Sequence, residues 1–265
     1  MDLGLKGKVV LVTGASRGIG RAIALAFAGE GCRLALASRT VETLATVAKE
    51  AEALGAEARH WVTDVTEPTQ VETLVQHVCR AWGGIDVLVN NVGGGYPKAF
   101  EAVSDEEWER VVNLNLFSAI RLSRAVLPHM KERGGGQIVN IAALSGRVPR
   151  LGQIASNAAK AALINFTESL AAEVARHAIR VNAVCPAAIL TERWDERVTR
   201  YRKEHGLSFE QAMMELASKS IPLGRFGLPE EVASAVVFLA SERAGFITGA
   251  SIFVDGGMGR SVSIP

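Results

Sequence analysis

Residues 13–20 read TGASRGIG, and this stretch decides how the chain folds. It follows the short apolar run KVVLVT at 8–13 and leads into the helical pattern RAIALAFAGEG at 21–31. Glycines here permit a tight turn and a close approach of the backbone to a pyrophosphate, while the helix N-terminus presents free N–H groups and the positive end of its dipole to that anion. The stretch therefore predicts a dinucleotide-binding loop made by Gly14, Ser16, Arg17, Gly18, Ile19 and Gly20.

The rest of the chain repeats the order of strand and helix. Short β-branched runs alternate with helical patterns, among them one from about Ser104 to Met130 and one that carries Lys160. The strand-like runs are nearly all apolar, as expected where helices cover both faces of a parallel sheet. We predict a single α/β domain over residues 1–265, with a Rossmann-like doubly wound parallel sheet flanked by helices. The later strands are RLALAS (33–38), ARHWVTD (58–64), IDVLVNN (85–91), GQIVNIAAL (136–144), IRVNAVCP (179–186) and ASIFVDGG (250–257).

One segment interrupts this order. Residues 187–225 are polar and helical in pattern, with the charged run TERWDERVTRYRKEHG at 191–206, and the segment is too long for a simple connection. We predict a lid-like insertion. Its apolar side chains, such as Trp194 and Phe209, would cover a bulky hydrophobic substrate or pack against a neighbouring subunit.

Composition limits the partners of the chain. Lysine and arginine (29) exceed aspartate and glutamate (28) by one, without the long charge runs that indicate nucleic-acid or membrane binding, so we expect small-molecule partners or further copies of the chain. Cys32, Cys79 and Cys185 show no CxxC spacing, and no histidines show metal-ligand spacing, so neither disulfides nor a metal site is predicted. Without a signal peptide or an apolar run near the roughly 20 residues that span a bilayer, we expect a cytoplasmic protein.

The end of the second strand indicates which dinucleotide is bound. An acidic residue at this point hydrogen-bonds the adenosine ribose, whereas an arginine suits a 2'-phosphate. Ser38 and Arg39 occupy the position, and Arg17 in the glycine loop adds a second guanidinium, a group that binds phosphate through two parallel hydrogen bonds. We therefore expect NADP(H), with NAD(H) as the alternative.

Further candidates follow the third and fourth strands. Asp64 and Val65 come after the third strand, and Asn90 with Asn91 after the fourth. Ligands bind at the C-terminal ends of parallel strands, but aspartate and asparagine are also ordinary capping and turn residues. Both roles stay open for Asp64 and Asn90.

Together these motifs resemble the short-chain dehydrogenase/reductase superfamily over essentially the full chain, and in style its 3-oxoacyl-carrier-protein reductases. The matching stretches are TGASRGIG (13–20), DV (64–65), NNVG (90–93), NLNLF (113–117), RVNAVCP (180–186) and ITGASIFVDGG (247–257). The resemblance implies a nicotinamide cofactor and an active site of Asn, Ser, Tyr and Lys, of which Asn115 and Lys160 match. It also implies a homotetramer or homodimer, with the helices from Ser104 and Ile154 pairing across a two-fold axis.

The resemblance extends to the nicotinamide end of the cofactor site. CPAAILTE at 185–192 is similar to the superfamily's PGxxxT, with Ala187 where glycine is usual, a departure that matters if this residue needs a positive φ. Backbone near Ile189 and the hydroxyl of Thr191 would hold the carboxamide, and Lys160 would bond the ribose. The further cofactor contacts that the resemblance implies are Asn91, Gly93, Lys160, Pro186, Ile189 and Thr191.

The other two members of the implied active site are replaced. The superfamily's serine on strand five aligns with Ala143 in the stretch IAALSG, and Ser145 lies two residues further on. The tyrosine four residues before the lysine is replaced by Ser156, so the motif reads SxxxK. No shift of the alignment restores a tyrosine, because the chain has only Tyr96 and Tyr201.

Loss of the tyrosine removes the usual proton donor. Hydride addition to a ketone makes an alkoxide about as basic as hydroxide, whose parent water has a pKa of about 15.7. A serine hydroxyl is a far weaker acid than a tyrosine beside a lysine cation, and loss of a general acid slows a reaction about 100- to 10,000-fold. An ordinary ketoreductase mechanism therefore needs another donor.

Four interpretations follow. In the first, which we favour, the chain interconverts carbonyl and alcohol through an atypical site with Asn115, Ser156 and Lys160 as catalytic residues. Ser156, Lys160, an ordered water or Tyr96 then replaces the acid, although Tyr96 also fits a structural role in its loop. His205 in the lid-like segment is a weaker candidate, because it also fits a solvated surface residue.

The second interpretation is reduction of a carbon–carbon double bond conjugated to a thioester or ketone, since the enolate formed is much less basic than an alkoxide. SxxxK is similar to the motif of the 2,4-dienoyl-CoA reductases, but the strand-five tyrosine of those enzymes aligns with Ala142 and Ala143. The third is a catalytically deficient dinucleotide-binding protein. The fourth, a deliberately inactivated variant, is disfavoured because the two replacements are of different kinds.

Overall fold

Seven parallel strands form one sheet in this computed structural model, which describes residues 1–95 and 97–260. The strands are Val9–Thr13 (β1), Arg33–Ser38 (β2), Glu57–Val62 (β3), Val87–Asn90 (β4), Gly136–Ile141 (β5), Ile179–Pro186 (β6) and Ser251–Val254 (β7). Their order across the sheet is β3-β2-β1-β4-β5-β6-β7. The predicted doubly wound parallel sheet is confirmed.

The order in which the chain adds strands to the sheet reverses between β1 and β4. The chain winds outward from β1 to β3 and then returns to β4 on the other side of β1, so that Val12 pairs with Leu36 on one side and with Val89 on the other. In open α/β sheets the connections diverge at such a point and leave a crevice at the C-terminal ends of the strands. The TGASRGIG stretch follows β1 into this crevice.

Helices cover both faces of the sheet. Val10 and Val12 of β1 pack in one apolar layer and Val9 and Leu11 in the other, which explains why the strand is apolar throughout. Within the described ranges, no helix is long and apolar enough to cross a membrane. The α-helices are Gly18–Gly29 (α1), Val41–Ala53 (α2), Pro68–Trp82 (α3), Asp105–Val112 (α4), Ser118–Glu132 (α5), Ile154–Val174 (α6), Glu192–His205 (α7), Phe209–Ser218 (α8) and Pro229–Ala240 (α9).

The single helix predicted from about Ser104 to Met130 is interrupted. A π-helical turn, Asn113–Phe117, separates α4 from α5 and fits one extra residue into the helix. The buried side chain of Asn115 in this turn donates a hydrogen bond to the carbonyl of Val111 at 2.8 Å. The hydrophobic pattern does not reveal the extra residue, because α4 buries no residue against which a change of phase would show.

The segment 187–225 contains α7 and α8 and has a small apolar cluster of its own. Trp194 packs against the buried side chain of Phe226, with 4.8 Å between ring centroids. The other buried members of this cluster are Ala188, Ala217 and Ile221. The segment is therefore a folded unit between β6 and α9, and its action as a lid stays a prediction.

Candidate active site

The glycine loop has the geometry of an anion-binding turn. A Cβ atom on Gly20 would lie 2.1 Å from the carbonyl oxygen of Gly14, so only glycine fits there. Gly18, the first residue of α1, has a φ of 53°, which disfavours other L-residues. Arg17 precedes the helix without capping it through its side chain. The first N–H groups of α1 are therefore left for a ligand.

Asn91 fixes this loop to the end of β4. Its side-chain amide donates hydrogen bonds to the carbonyls of Thr13 and Gly14 at 3.1 and 3.2 Å, and its backbone N–H donates to the hydroxyl of Thr13 at 3.1 Å. Asn90, by contrast, lies inside β4, where its buried amide donates to Asn140 at 2.8 Å. Asn91 therefore shapes the candidate cofactor site, while Asn90 serves the core.

The candidate adenosine site forms at the ends of β2 and β3. Asp64 accepts hydrogen bonds from the backbone N–H and the hydroxyl of Thr66 at 2.9 and 2.7 Å. Burial alone would raise the pKa of Asp64, but these hydrogen bonds and the charge of Arg39 outweigh it and hold that pKa below its ordinary value. Arg39 is exposed, and Ser38 beside it is buried. An exposed guanidinium thus stands at the point where the sequence predicts a 2'-phosphate.

Three apolar candidates turn their side chains into the core. Ile19 packs against the layer that contains α1 and α9, Ile189 is buried in that layer, and Val65 is buried in the layer of α3 and α5. These residues can offer a cofactor only their backbone groups. Ser16 is half-buried in the glycine loop, and Pro186 is half-buried at the end of β6.

Thr191 and Glu192 reach the glycine loop from the start of α7. A Cβ on Gly18 would lie 3.4 Å from Cγ2 of Thr191 and 3.6 Å from Oε2 of Glu192. The hydroxyl of Thr191 makes no capping hydrogen bond to α7, so it is available to a ligand. The sequence analysis did not predict Glu192 as a residue of the cofactor site, although its position directly after Thr191 indicates that it lies near the site. Its carboxylate stands where α1 offers N–H groups to an anion.

The positive φ in this segment belongs to Ala188 rather than to Ala187. Ala188 has a φ of 49°, a conformation that costs a non-glycine residue about 1–3 kcal/mol. Hydrogen bonds hold it there, because its carbonyl accepts from the N–H of Gly227 at 3.1 Å and the N–H of Leu190 donates to the carbonyl of Gly227 at 2.8 Å. The concern attached to Ala187 therefore applies to its neighbour.

Lys160 is buried on α6 beside the end of β5. Its ammonium donates a hydrogen bond to the carbonyl of Ile141 at 2.8 Å, and burial lowers its pKa from 10.5 to about 8. A Cβ on Gly93 would lie 2.8 Å both from Nζ of Lys160 and from Oδ1 of Asn115. Asn115 holds the next residue of this loop, accepting from the N–H of Gly94 at 2.9 Å and donating to its carbonyl at 2.7 Å. The structure thus brings Asn115, Gly93 and Lys160 together.

Ser156 contacts the same glycine-rich loop. It lies four residues before Lys160 on α6, so the two side chains share a face of the helix. A Cβ on Gly95 would lie 3.1 Å from Oγ of Ser156. Ala143 follows β5 in an extended conformation and brings no hydroxyl, while Ser145 is buried two residues further on. Three predicted catalytic residues therefore surround one short loop.

The two tyrosines give no replacement acid in the described residues. Tyr96 lies outside them. Tyr201 on α7 donates its hydroxyl to Glu215 at 3.0 Å, and the ring of His205 stacks on it with 4.0 Å between centroids. Both side chains belong to the surface of α7 and α8, so neither replaces the missing acid. Lys160 and Ser156 stay the proton donors among the predicted catalytic residues.

Sequence reasoning also missed an aromatic and basic group between α6 and α7. The guanidinium carbons of Arg150 and Arg197 lie 5.9 and 4.7 Å from the ring centroid of Trp194. Asn157 donates its side-chain amide to the carbonyl of Arg150 at 2.8 Å. Only the spacing of Trp194 and Arg197 on one helix was visible in the sequence, because Arg150 is distant along the chain.

Comparison with known proteins agrees with this architecture. The family described as enoyl-(acyl carrier protein) reductase matches residues 14–259. The 3-oxoacyl-[acyl-carrier-protein] reductase FabG of Thermotoga maritima is 39% identical over 254 residues, which cover 96% of this chain and 98% of that protein. The enzyme of the same name from Escherichia coli is 40% identical over 256 residues, covering 97% and 99% of the two chains.

A solved structure is similar over the same length. L-sorbose reductase from Gluconobacter frateurii, in complex with NADPH and L-sorbose, is 38% identical, with a TM-score of 0.95 and coverage of 99% of this chain and 100% of that one. Identity at this level over nearly the whole length of both chains assigns the family. The chain belongs to the short-chain dehydrogenase/reductase superfamily of oxidoreductases.

Proposed function

We propose that the protein transfers hydride between NADP(H) and a carbonyl or alcohol carbon, with Asn115, Ser156 and Lys160 as its catalytic residues. The observation that carries this proposal is the buried ammonium of Lys160, held at the C-terminal end of β5 beside Gly93 and Asn115. The names of the relatives, which are reductases of carbonyl groups, support the reaction class.

The residues of the crevice fit a phosphorylated dinucleotide. The backbone contact between Gly20 and Gly14 leaves the N-terminus of α1 open to a pyrophosphate, and the exposed guanidiniums of Arg17 and Arg39 suit a 2'-phosphate. The NADPH bound to L-sorbose reductase supports the same choice. NADPH, when bound, supplies the hydride, and NAD(H) stays the alternative cofactor.

Lys160 can take over the role of the missing acid. Its pKa of about 8 keeps the ammonium protonated at neutral pH and close to the range in which general acids work best. The alkoxide formed on the substrate takes a proton from Lys160, directly or through the hydroxyl of Ser156 one turn earlier, and Lys160 regains its proton from solvent. Asn115 holds the loop at Gly94 that closes the site on the other side.

A second candidate is reduction of a conjugated carbon–carbon double bond. An enolate needs a weaker acid than an alkoxide, and Tyr201, the tyrosine that the described ranges contain, is bonded to Glu215 on the surface rather than placed at Lys160. The family match to enoyl-(acyl carrier protein) reductase is compatible with this chemistry.

The test measures binding first and turnover second. Nucleotide fluorescence gives the affinities for NADPH and NADH, and oxidation of bound NADPH is then followed with panels of ketones and of enoyl thioesters. Turnover of ketones is the expected result. Turnover of enoyl thioesters alone would select the second candidate, and tight binding without turnover would leave a dinucleotide-binding protein.

Variants identify the donor. Lys160→Met is expected to remove ketone reduction, and Ser156→Ala to reduce it. Ser169→Ala serves as the matched control, because Ser169 is an exposed serine on the same helix. Ser156→Tyr combined with Ala143→Ser restores the superfamily's usual set and should raise the rate. Unchanged turnover in Lys160→Met would contradict the proposal.

We further propose that α7 and α8 act as a lid over the substrate and that the protein forms a homotetramer or homodimer. Thr191 and Glu192 at the start of α7 lie beside the glycine loop, within 3.4 and 3.6 Å of where a Cβ on Gly18 would stand, which supports the lid. Phe117 and Ile154 are large apolar side chains exposed near the starts of α5 and α6, as expected where helices pair between subunits. Light scattering on the purified protein gives the oligomeric state, and a monomer would contradict it.

A further inference from the structure

Two arginines from different parts of the chain meet at one aromatic ring. Arg150 lies in the loop before α6, and Arg197 lies one turn after Trp194 on α7. Their guanidinium carbons are 5.9 and 4.7 Å from the centroid of the Trp194 ring. The two cations are thus brought to one place by tertiary folding rather than by sequence spacing.

Within the described residues, neither guanidinium has a partner of opposite charge. The guanidiniums of Arg150 and Arg197 form no ion pair and no hydrogen bond there, although Asp195 and Glu196 lie beside Arg197 on α7. Each guanidinium carries five N–H donors. A stack on an aromatic face leaves these donors unused, so the pair can still bind an acceptor.

The position of Arg150 is fixed by the residue beside Ser156. The side-chain amide of Asn157 donates to the carbonyl of Arg150 at 2.8 Å, and Asn157 is itself buried. Partial burial, and secondly the positive charge of Arg197, lower the pKa of Arg150. The effect of Arg197 on this pKa shows that the two positive charges repel one another, and an anion bound to both would offset that repulsion. The bond from Asn157 fixes the backbone from which the side chain of Arg150 reaches Trp194.

The pair neighbours the proposed catalytic residues along the chain and differs from the cations assigned to the cofactor. Asn157 follows Ser156 on α6, and Trp194 follows Thr191 by three residues at the start of α7. The cations assigned to the 2'-phosphate, Arg17 and Arg39, lie instead at the ends of β1 and β2. An anion between Arg150 and Arg197 therefore belongs to the substrate end of the crevice.

We infer that the substrate of the proposed reaction carries an anionic group, a carboxylate or a phosphate ester, which Arg150 and Arg197 bind beside Trp194. That the anion belongs to a substrate rests on the proposed function. Binding of an anion at Arg150 and Arg197 does not depend on turnover. Because both guanidiniums converge on one ring, the site fits a single small anion better than the extended acidic surface of a protein.

Binding is tested without catalysis. Calorimetry follows the titration of inorganic phosphate and of succinate into the protein saturated with NADP⁺, so that the cofactor phosphate sites are filled, and into the protein alone. Arg150→Gln and Arg197→Gln are each expected to weaken anion binding about tenfold or more, as loss of a charge-assisted hydrogen bond does. Arg80→Gln is the matched control, because Arg80 is an exposed arginine on α3 without a partner in the described residues. Arg197→Lys should restore part of the binding.

Catalysis then distinguishes carboxylate from phosphate. Acetoacetate is compared with its methyl ester, and dihydroxyacetone phosphate with dihydroxyacetone. The arginine variants should raise KM for the charged member of the preferred pair about tenfold and leave kcat and KM for the neutral member unchanged. The pair of compounds for which the arginine variants raise KM more identifies the anionic group as a carboxylate or a phosphate ester.

Failure of the inference is distinguishable from failure of the proposed function. Anion binding that Arg150→Gln and Arg197→Gln remove, without reduction of any carbonyl compound, supports the anion site and overturns the proposed reaction. Turnover of ketones with no preference for charged substrates and no anion binding overturns the inference alone. An acidic carrier protein that binds through these arginines where phosphate and succinate do not would overturn it as well.

Discussion

The ammonium of Lys160 donates its hydrogen bond to the carbonyl of Ile141 at 2.8 Å, one turn after Ser156 on the same helix. The proton of Lys160 is therefore held at the edge of the sheet where the reaction is proposed to occur. Because this group is buried and the superfamily's tyrosine is replaced, we expect both the reaction rate and the stability of the protein to depend on the titration of Lys160.

The rate of carbonyl reduction should fall as the pH rises through about 8. Lys160 has its pKa lowered to about 8 by burial, so above that pH the donor is deprotonated and kcat/KM for reduction should fall tenfold per pH unit. Alcohol oxidation should show the opposite trend, because it needs the neutral amine. A reduction rate that stays flat from pH 7 to 9.5 would contradict the assignment of Lys160 as donor.

The same burial affects stability in a defined pH window. Since the folded pKa of about 8 lies below the ordinary 10.5, the unfolded chain holds an extra proton between these values, and the contribution of Lys160 to the free energy of unfolding rises with pH by about 3 kcal/mol. The variant Lys160→Met lacks this contribution. The free energy of unfolding of the variant minus that of the parent protein should therefore be largest below pH 8 and decrease towards pH 10.5.

Denaturant unfolding of both proteins across this range measures the difference. The comparison is necessary because burial raises the pKa of Cys32 to about 12 and that of Cys185 to about 11, and a raised thiol pKa makes stability fall as pH rises above 9. Cys32 is present in both proteins, so its effect cancels. The charge of Lys160 lowers the pKa of Cys185, so the comparison is read between pH 7 and 9, below the range in which Cys185 titrates. A difference that is independent of pH would show that Lys160 titrates normally.

Arg39 should decide between the two dinucleotides. Arg39→Gln removes an exposed guanidinium at the end of β2 and is expected to weaken NADPH binding about 10- to 100-fold, the value of a charge-assisted hydrogen bond. NADH, which has no 2'-phosphate, should bind almost unchanged. Fluorescence titration measures both, with Arg80→Gln as control, and equal weakening for the two cofactors would rule out a phosphate contact.

Glu192 should oppose cofactor binding. Its carboxylate oxygen would lie 3.6 Å from a Cβ on Gly18, next to the N–H groups that we assign to a pyrophosphate. Glu192→Gln removes this like charge and is expected to tighten NADPH binding about five- to tenfold, with a larger effect at low salt. Weaker binding in this variant would show instead that the carboxylate supports the loop.

The sequence predicted the fold because the fold depends on local patterns. The apolar run of β1 and the glycines after it each predict their local structure from about eight consecutive residues. The structure has the strand and the glycine turn as predicted. Lys160 was identified through the resemblance of SxxxK to the superfamily's motif, whose four-residue spacing is likewise local. The sequence did not predict the interruption of the helix at Asn115, because an extra residue in a helix does not change the helix propensity of the residues around it.

The rest of the site depends on contacts between distant segments. Ala188, rather than Ala187, has the positive φ, and Gly227 holds it there by donating to the carbonyl of Ala188 and accepting from the N–H of Leu190. Arg150 and Trp194 are neighbours in space but belong to different connections of the sheet. Neither fact follows from spacing along the chain, since both arise only when α6, α7 and α9 are placed on the same sheet.

The π-helical turn at Asn113–Phe117 also restricts how this chain can tolerate changes in length. Because the turn holds one extra residue, removing a residue from it would leave a continuous α-helix in which α4 and α5 keep their relative phase. The same deletion inside α5, before Val126, would instead rotate Val126 and Met130 by about 100° relative to α4 and out of the apolar layer. An insertion beside Gly134, where the connection from α5 to β5 makes a left-handed turn, changes no helical phase. Libraries of single-residue deletions, selected for folding, should therefore be depleted inside α5 and populated both across Asn113–Phe117 and at the loop that follows α5.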